Sequence, residues 1–301
     1  MIALFYFLLF VLGSVMGSFI NVLDLRYDPN RSVFDSKRLS GRSKCMSCGK
    51  TLTAVELIPI LSFILQRGRC RSCKKKISFQ YPIVEATAGF IFLTVALTLN
   101  NFFSIASNVF FNLEAPAIHY FLVFIWSLAF LVWLLITLID LKHYLVPDEL
   151  NLTLGFFGLL LLALTFLNQG YFSGFRDSFL THYNLIFSPL QNPGLNHLLG
   201  GLIGFIFFAA FSILSRGRAM GMGDAKLALP TGLLLGWADI GLAIALSFIL
   251  GGIAGVILIR RKEKTMHDRI PFAPFFVLGV ALTFFFGHSI IAGYFALFPL
   301  S

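Results

Sequence analysis

The chain has 301 residues, 57% of them hydrophobic and only 12% charged, against roughly 25% charged in soluble domains. That composition excludes an ordinary soluble protein. The net charge is +9, but its placement says more than its sign: 13 of the 23 Lys and Arg lie between Arg26 and Lys76, and five more between Arg260 and Arg269. Clusters of this kind mark the cytoplasmic loops of membrane proteins. A basic loop without interleaved aromatic residues, on a chain otherwise built for lipid, argues against nucleic acid as a partner.

The first apolar run, MIALFYFLLFVLGSVMGSF, has no positive n-region and no A-x-A cleavage site, so it reads as a retained helix at about 2–23 with its N-terminus outside. A polar loop follows at 24–80, and the remaining runs predict spans near 81–99, 118–140, 151–168, 196–215, 225–237, 238–259 and 271–297. The sixth is short, and GLLLGWADIG at 232–241 marks the turn into the seventh. With eight spans, Arg176 is the one basic residue in the outer segments 100–117 and 169–195. A seven-span map would strand one of the two basic clusters outside. The fold class expected is an all-α polytopic membrane protein. It divides into a first helix (1–23), a small cytoplasmic loop domain (24–80) and a transmembrane core (81–301).

The loop is too small for a large hydrophobic core. CMSC and CRSC supply it with Cys45, Cys48, Cys70 and Cys73, the only cysteines in the chain, as two C-x2-C pairs. Two such knuckles offer zinc four tetrahedral thiolates and give the loop folding energy. Four Cys leave no position for a catalytic water, so the zinc is structural. Lys50, Arg71, Lys74 and Lys75 lie where they offset the thiolate charge. Two disulfides or free thiols are the alternatives, and disulfides require an oxidising compartment.

Asp140 closes the third run, in IDLKHYLVPDEL, and Asp224 opens the sixth, in RAMGMGDAKLALP. The charge map, drawn from Lys and Arg alone, brings both acids to one membrane face. Two carboxyls in a partly dry site share one proton. The ionised member then activates water and the protonated one polarises a scissile carbonyl. Gly221 and Gly223 would permit unusual dihedrals beside a substrate strand. Asp224 reads alternatively as an N-cap, and Asp140 as an interfacial acid paired with Lys142 or His143. Asp148, after Pro147, reads as an N-cap. His119, His182, His197, His267 and His288 are scattered without metal-ligand spacing.

With these residues in view, the sequence resembles the type IV prepilin peptidases, bifunctional leader peptidase/N-methyltransferases of the GxGD aspartyl type. GSFINV at 17–22, the paired knuckles, RCRSCKKKISFQYPIVE at 69–85, IDLKHYLVPDELNL, GMGDAKL and IPFAPF at 270–275 resemble the family's motifs, in order and nearly end to end. The resemblance implies that Asp140 and Asp224 are the catalytic pair and that the 81–301 core is the peptidase. It implies cleavage of a short basic leader from prepilin or pseudopilin substrates at the cytoplasmic side, after a glycine. It implies methylation of the new N-terminus by S-adenosylmethionine, in a region where Gly68 and Glu56 fit. The alternatives for these two are a turn glycine and a surface acid. It also implies a bacterial inner membrane. Leu57, Gln80 and Ala273 stand where the family usually has Asn, Arg and Gly. Because loop and leader are both basic, the loop's charges are expected to face anionic lipid, at ~1 kcal/mol per residue near the surface. A proton-coupled transporter would want midplane acids and symmetric halves. A zinc-ribbon scaffold would leave the paired acids without a role.

Overall fold

The computed structural model describes residues 2–36, 40–106, 116–168, 178–184, 192–218, 220–263, 265 and 268–297; Arg176 and His267 lie outside them. Among the described residues the architecture is helical, with no strand. The helices are α1 (Ile2–Leu25), α2 (Gln80–Ala106), α3 (Pro116–His143), α4 (Asp148–Leu167), α5 (Pro193–Leu214), α6 (Met222–Leu235), α7 (Trp237–Arg260) and α8 (Ala273–Leu297). Single helical turns occur at Ala54–Leu57, Leu61–Leu65 and Thr181–Tyr183. Among the described residues, seven helices are long and apolar enough to cross a membrane. The eighth, α6, has 14 residues. At 1.5 Å per residue it spans about 21 Å, short of a ~30 Å hydrocarbon core. It stops at Gly236, whose φ of 92° breaks it from α7.

Two helix starts differ from the expected ones. Pro147 is the N-cap of α4, so Asp148 is its first helical residue rather than its cap. Gly221 is the N-cap of α6, which places Asp224 within the first turn. Acidic side chains are stabilised there by the positive end of the helix dipole, which is why neither acid has to serve as the cap.

The chain divides into two compact units. One comprises Met1–Leu99 and Ala117–Leu131, the other Asn100–Pro116 and Val132–Ser301. In the first, α1 and α2 cross closely at Gly17, where an added Cβ would come 2.7 Å from Ala88 Cβ and 2.9 Å from Glu85 Cα. Next to that crossing, Asn21 Nδ2 donates to the Tyr81 carbonyl at 3.2 Å. The GSFINV stretch thus sets the distance between these two helices.

In the second unit, α6 packs on α5 and α4, and α7 on α8 and α5. A Cβ at Gly232 would collide with the Gly200 carbonyl, so glycine at both positions lets α5 and α6 touch backbone to backbone. Trp133 Nε1 donates to Thr231 Oγ1 at 3.3 Å, tying α3 to α6 in the interior. Lys226 of α6 holds Asp148 of α4 with two contacts of 2.8 and 2.9 Å. These ties fix α6 against its neighbours.

Candidate active site and metal centre

The two C-x2-C segments fold alike. In the first, Cys45 N–H bonds the Lys50 carbonyl at 2.9 Å, and Gly49 N–H bonds the Cys45 carbonyl at 2.9 Å. In the second, Cys70 N–H bonds the Lys75 carbonyl and Lys74 N–H bonds the Cys70 carbonyl, both at 3.0 Å. The residue after each second Cys takes the left-handed region, Gly49 at φ 70° and Lys74 at φ 57°. All four thiols are free and lie within 4.8 Å of one another. Cys45 Sγ and Cys73 Sγ are 3.9 Å apart. A zinc tetrahedron with bonds of ~2.3 Å has edges of about 3.8 Å, so this donor set fits the metal. Backbone N–H groups of Ser47 and Cys48 hold the Cys45 thiol down to about 6. Those of Cys73 and Ser72 lower Cys70. Lys50 forms an ion pair with Glu56 at 3.5 Å.

Glu56 is no surface acid. Its side chain is buried, and it closes a capping box in which Oε2 accepts the Thr53 N–H at 2.9 Å and the Thr53 hydroxyl at 3.0 Å. The Thr53 N–H first, then the Thr53 hydroxyl and Lys50, hold its carboxyl below the ordinary value.

The second centre lies in the other unit. α3 ends one turn past Asp140, where Tyr144 takes φ 56° and returns its N–H to the Asp140 carbonyl at 2.9 Å. The Asp140 side chain is only 5% exposed, and its Oδ2 accepts the Ala273 N–H at 3.1 Å. Ala273 is the first residue of α8, so a helix N-terminus meets the carboxylate. Lys142 and His143 are exposed on the surface. Asp224 is half-buried, and the Asp140 carboxyl lies within its electrostatic reach. The structure therefore brings the two predicted acids together, one anchored and buried, the other partly open.

The glycines beside Asp224 act differently from expectation. Gly221 has φ −79° and ψ 154°, and Gly223 is helical, so neither needs the left-handed region. A Cβ on Gly221 would stand 4.0 Å from Asp224 Oδ2, so a larger side chain there would begin to cover the carboxyl. Glycine keeps that approach open.

A family model described as Bacterial Peptidase A24 N-terminal domain matches residues 11–99, and one described as Type IV leader peptidase family matches residues 127–256. A prepilin leader peptidase/N-methyltransferase of Bacillus subtilis is 30% identical over 287 residues, covering 95% of this chain and 96% of the relative. The chain belongs to the type IV leader peptidase family. Relatives of the same name from Aeromonas salmonicida and Pseudomonas aeruginosa are each 28% identical, covering 97% and 94% of this chain and 94% and 91% of their own lengths. No solved structure matches the chain.

Family membership gives the seven apolar helices their setting, a multi-pass bacterial membrane protein. Two of the three departures from the family pattern make defined contacts. Ala273 contributes through its backbone N–H, which alanine and glycine supply equally. Gln80 Nε2 donates to Asp24 Oδ2 at 2.6 Å. Leu57 is exposed beside the cysteine loop. Sequence reasoning missed the Ala273 donor, although the IPFAPF stretch pointed to its neighbourhood. It also missed that two of the scattered histidines meet. The His182 and His288 rings are 5.5 Å apart, and the Thr181 hydroxyl lies 2.8 Å from His288 Nδ1.

Proposed function

We propose that the chain removes the leader of prepilin-like proteins with the Asp140–Asp224 pair and then N-methylates the newly exposed amine. One observation carries the peptidase assignment: two carboxyls from distant parts of the chain lie within electrostatic reach at the starts and ends of α3, α6 and α8. Such a pair shares one proton. The ionised carboxylate takes a proton from water as the water attacks the scissile carbonyl. The protonated carboxyl hydrogen-bonds the carbonyl oxygen and then passes its proton to the leaving amine. The Ala273 N–H fixes the Asp140 end of this relay, and the open side of Asp224 admits water and peptide. No nucleophilic serine is needed.

In this reading Cys45, Cys48, Cys70 and Cys73 hold one structural zinc, with no ligand position left for water. S-adenosylmethionine, when bound, supplies an electrophilic methyl group to the amine. Gly68 and Glu56 belong to the methyl-transfer region. The enzyme resides in the bacterial inner membrane with its N-terminus outside and the cysteine loop in the cytoplasm. There the basic loop faces anionic lipid and the leader is within reach. Substrates are pilins or pseudopilins that enter as membrane helices.

The test is incubation of the protein in membranes with a prepilin-like substrate and S-adenosylmethionine, followed by intact-mass measurement. The expected product has lost its leader and gained one methyl. Loss of the leader without a methyl would leave a peptidase alone, and an intact substrate would overturn the reading.

A further inference from the structure

The start of α8 offers the aspartate pair a single donor. The carbonyl of Phe272, the residue just before the helix, accepts the N–H of Phe275 at 3.0 Å and that of Phe276 at 3.1 Å. Pro274 has no N–H. Within the first turn, at 273–276, only Ala273 therefore has a donor left for a partner outside the helix. Its 3.1 Å bond to Asp140 Oδ2 uses that donor. The direction of one backbone hydrogen is thus set by whatever holds Phe272.

An aromatic cluster holds it. The Phe272 ring centroid is 5.4 Å from that of Phe248 on α7, 5.6 Å from Phe208 on α5 and 6.3 Å from Phe276 on α8. Phe208 packs in turn on Phe276 at 5.4 Å and on Phe248 at 6.2 Å. These separations lie in the ~4.5–7 Å range of favourable aromatic pairs. Phe208 and Phe276 are buried, so the cluster is anchored in the interior. It joins three helices, and the Phe272 ring stands one residue from the donor. Tolerance at such a contact is small, since a misplacement of about 1 Å in a reacting group can cost ~100-fold in rate.

We propose that Phe272 is a positioning residue for the aspartate pair: its ring, packed among Phe208, Phe248 and Phe276, keeps the Ala273 N–H directed at Asp140 Oδ2. The ring acts through the backbone of its neighbour and not on the peptide. α5 and α7, which carry neither aspartate, thereby share in setting the geometry of the pair. The inference rests on the Asp140–Asp224 reading and extends it to a side chain outside the pair.

The experiment is steady-state leader cleavage by the full chain in membranes, at matched protein levels and with thermal melts to check folding. Phe272→Ala is expected to lower kcat about tenfold at unchanged KM. Phe272→Leu keeps much of the apolar volume and should return kcat to within about threefold of parental. Phe207 packs on Phe208 and Phe248 at 5.3 and 5.9 Å, so Phe207→Ala removes a ring from the same cluster but not the one beside the donor. Its kcat should stay near parental. Added to Ala273→Pro, which has no N–H left to direct, Phe272→Ala should cost nothing further. Should Phe272→Ala not accumulate in membranes, Phe272→Val takes its place in the same comparison. A parental kcat, a raised KM with kcat unchanged, or a loss that multiplies with that of Ala273→Pro would overturn the proposal while leaving the aspartate pair intact. Parental cleavage by Asp140→Asn would instead remove the reading of the pair, and this role with it.

Discussion

The cysteine loop and the aspartate pair are built by opposite means. The loop's donors come from two nearly identical turns close in sequence, each fixed by its own backbone hydrogen bonds. The aspartates come from helices whose meeting depends on glycine crossings, a tryptophan–threonine bond and a backbone N–H from a third helix. A metal site can be specified by spacing, because a few residues close it. A catalytic pair between helices is specified by packing over much of the chain.

If that contrast is right, the two regions can be damaged separately. The largest effect is expected from Cys45→Ser together with Cys48→Ser. Metal analysis should fall from about one zinc per chain to none, since half the donors are gone. Leader cleavage should persist at a reduced but measurable rate; full zinc retention would refute the four-thiol centre. Next comes Ala273→Pro. Proline is tolerated at the first position of a helix but has no N–H. Losing a hydrogen bond to a charged group should slow cleavage by about 10–100-fold, whereas Ala273→Gly should stay near parental. If the proline variant cleaved at the parental rate, the N–H would not be part of the site.

The acid behaviour of the loop sharpens the comparison. Glu56 is held below its ordinary value of 4.5 in the folded loop. Its stabilisation is therefore complete above that value and is lost as pH falls through the lowered one. Thermal melts of the parental protein should drop on acidification below pH 4.5, and Glu56→Gln should show a shallower drop. An unchanged acid limb would detach Glu56 from loop stability. The smallest effect is expected from Asp148→Asn. Its partner Lys226 and the acid itself are both largely exposed, so the pair is worth about 1 kcal/mol or less. Cleavage should stay within a few-fold of parental; a loss like that of the dyad would make Asp148 the catalytic acid.

The comparison also explains what was legible in the sequence. Cysteine spacing predicted that four thiols would cluster, which they do, and apolar runs predicted the helices. Lys and Arg placement predicted that Asp140 and Asp224 could meet. The Ala273 contact was not legible, because a backbone N–H leaves no signature in residue identity. The start of α6 was placed too late because aspartate suits both a cap and a first turn. The GMGD glycines suggested strained backbone, but Gly221 instead leaves open space beside a carboxyl. The pairing of His182 with His288 has no local pattern, since more than a hundred residues separate them.

The central claim is that Asp140 and Asp224 act as one unit. Leader cleavage should be timed for Asp140→Asn, Asp224→Asn and the double variant, at matched protein levels in membranes. Each single variant should be slower by about a thousandfold, and the double should be no slower than the worse single. Parental cleavage by either single, or a double variant whose loss is the product of the two, would contradict it.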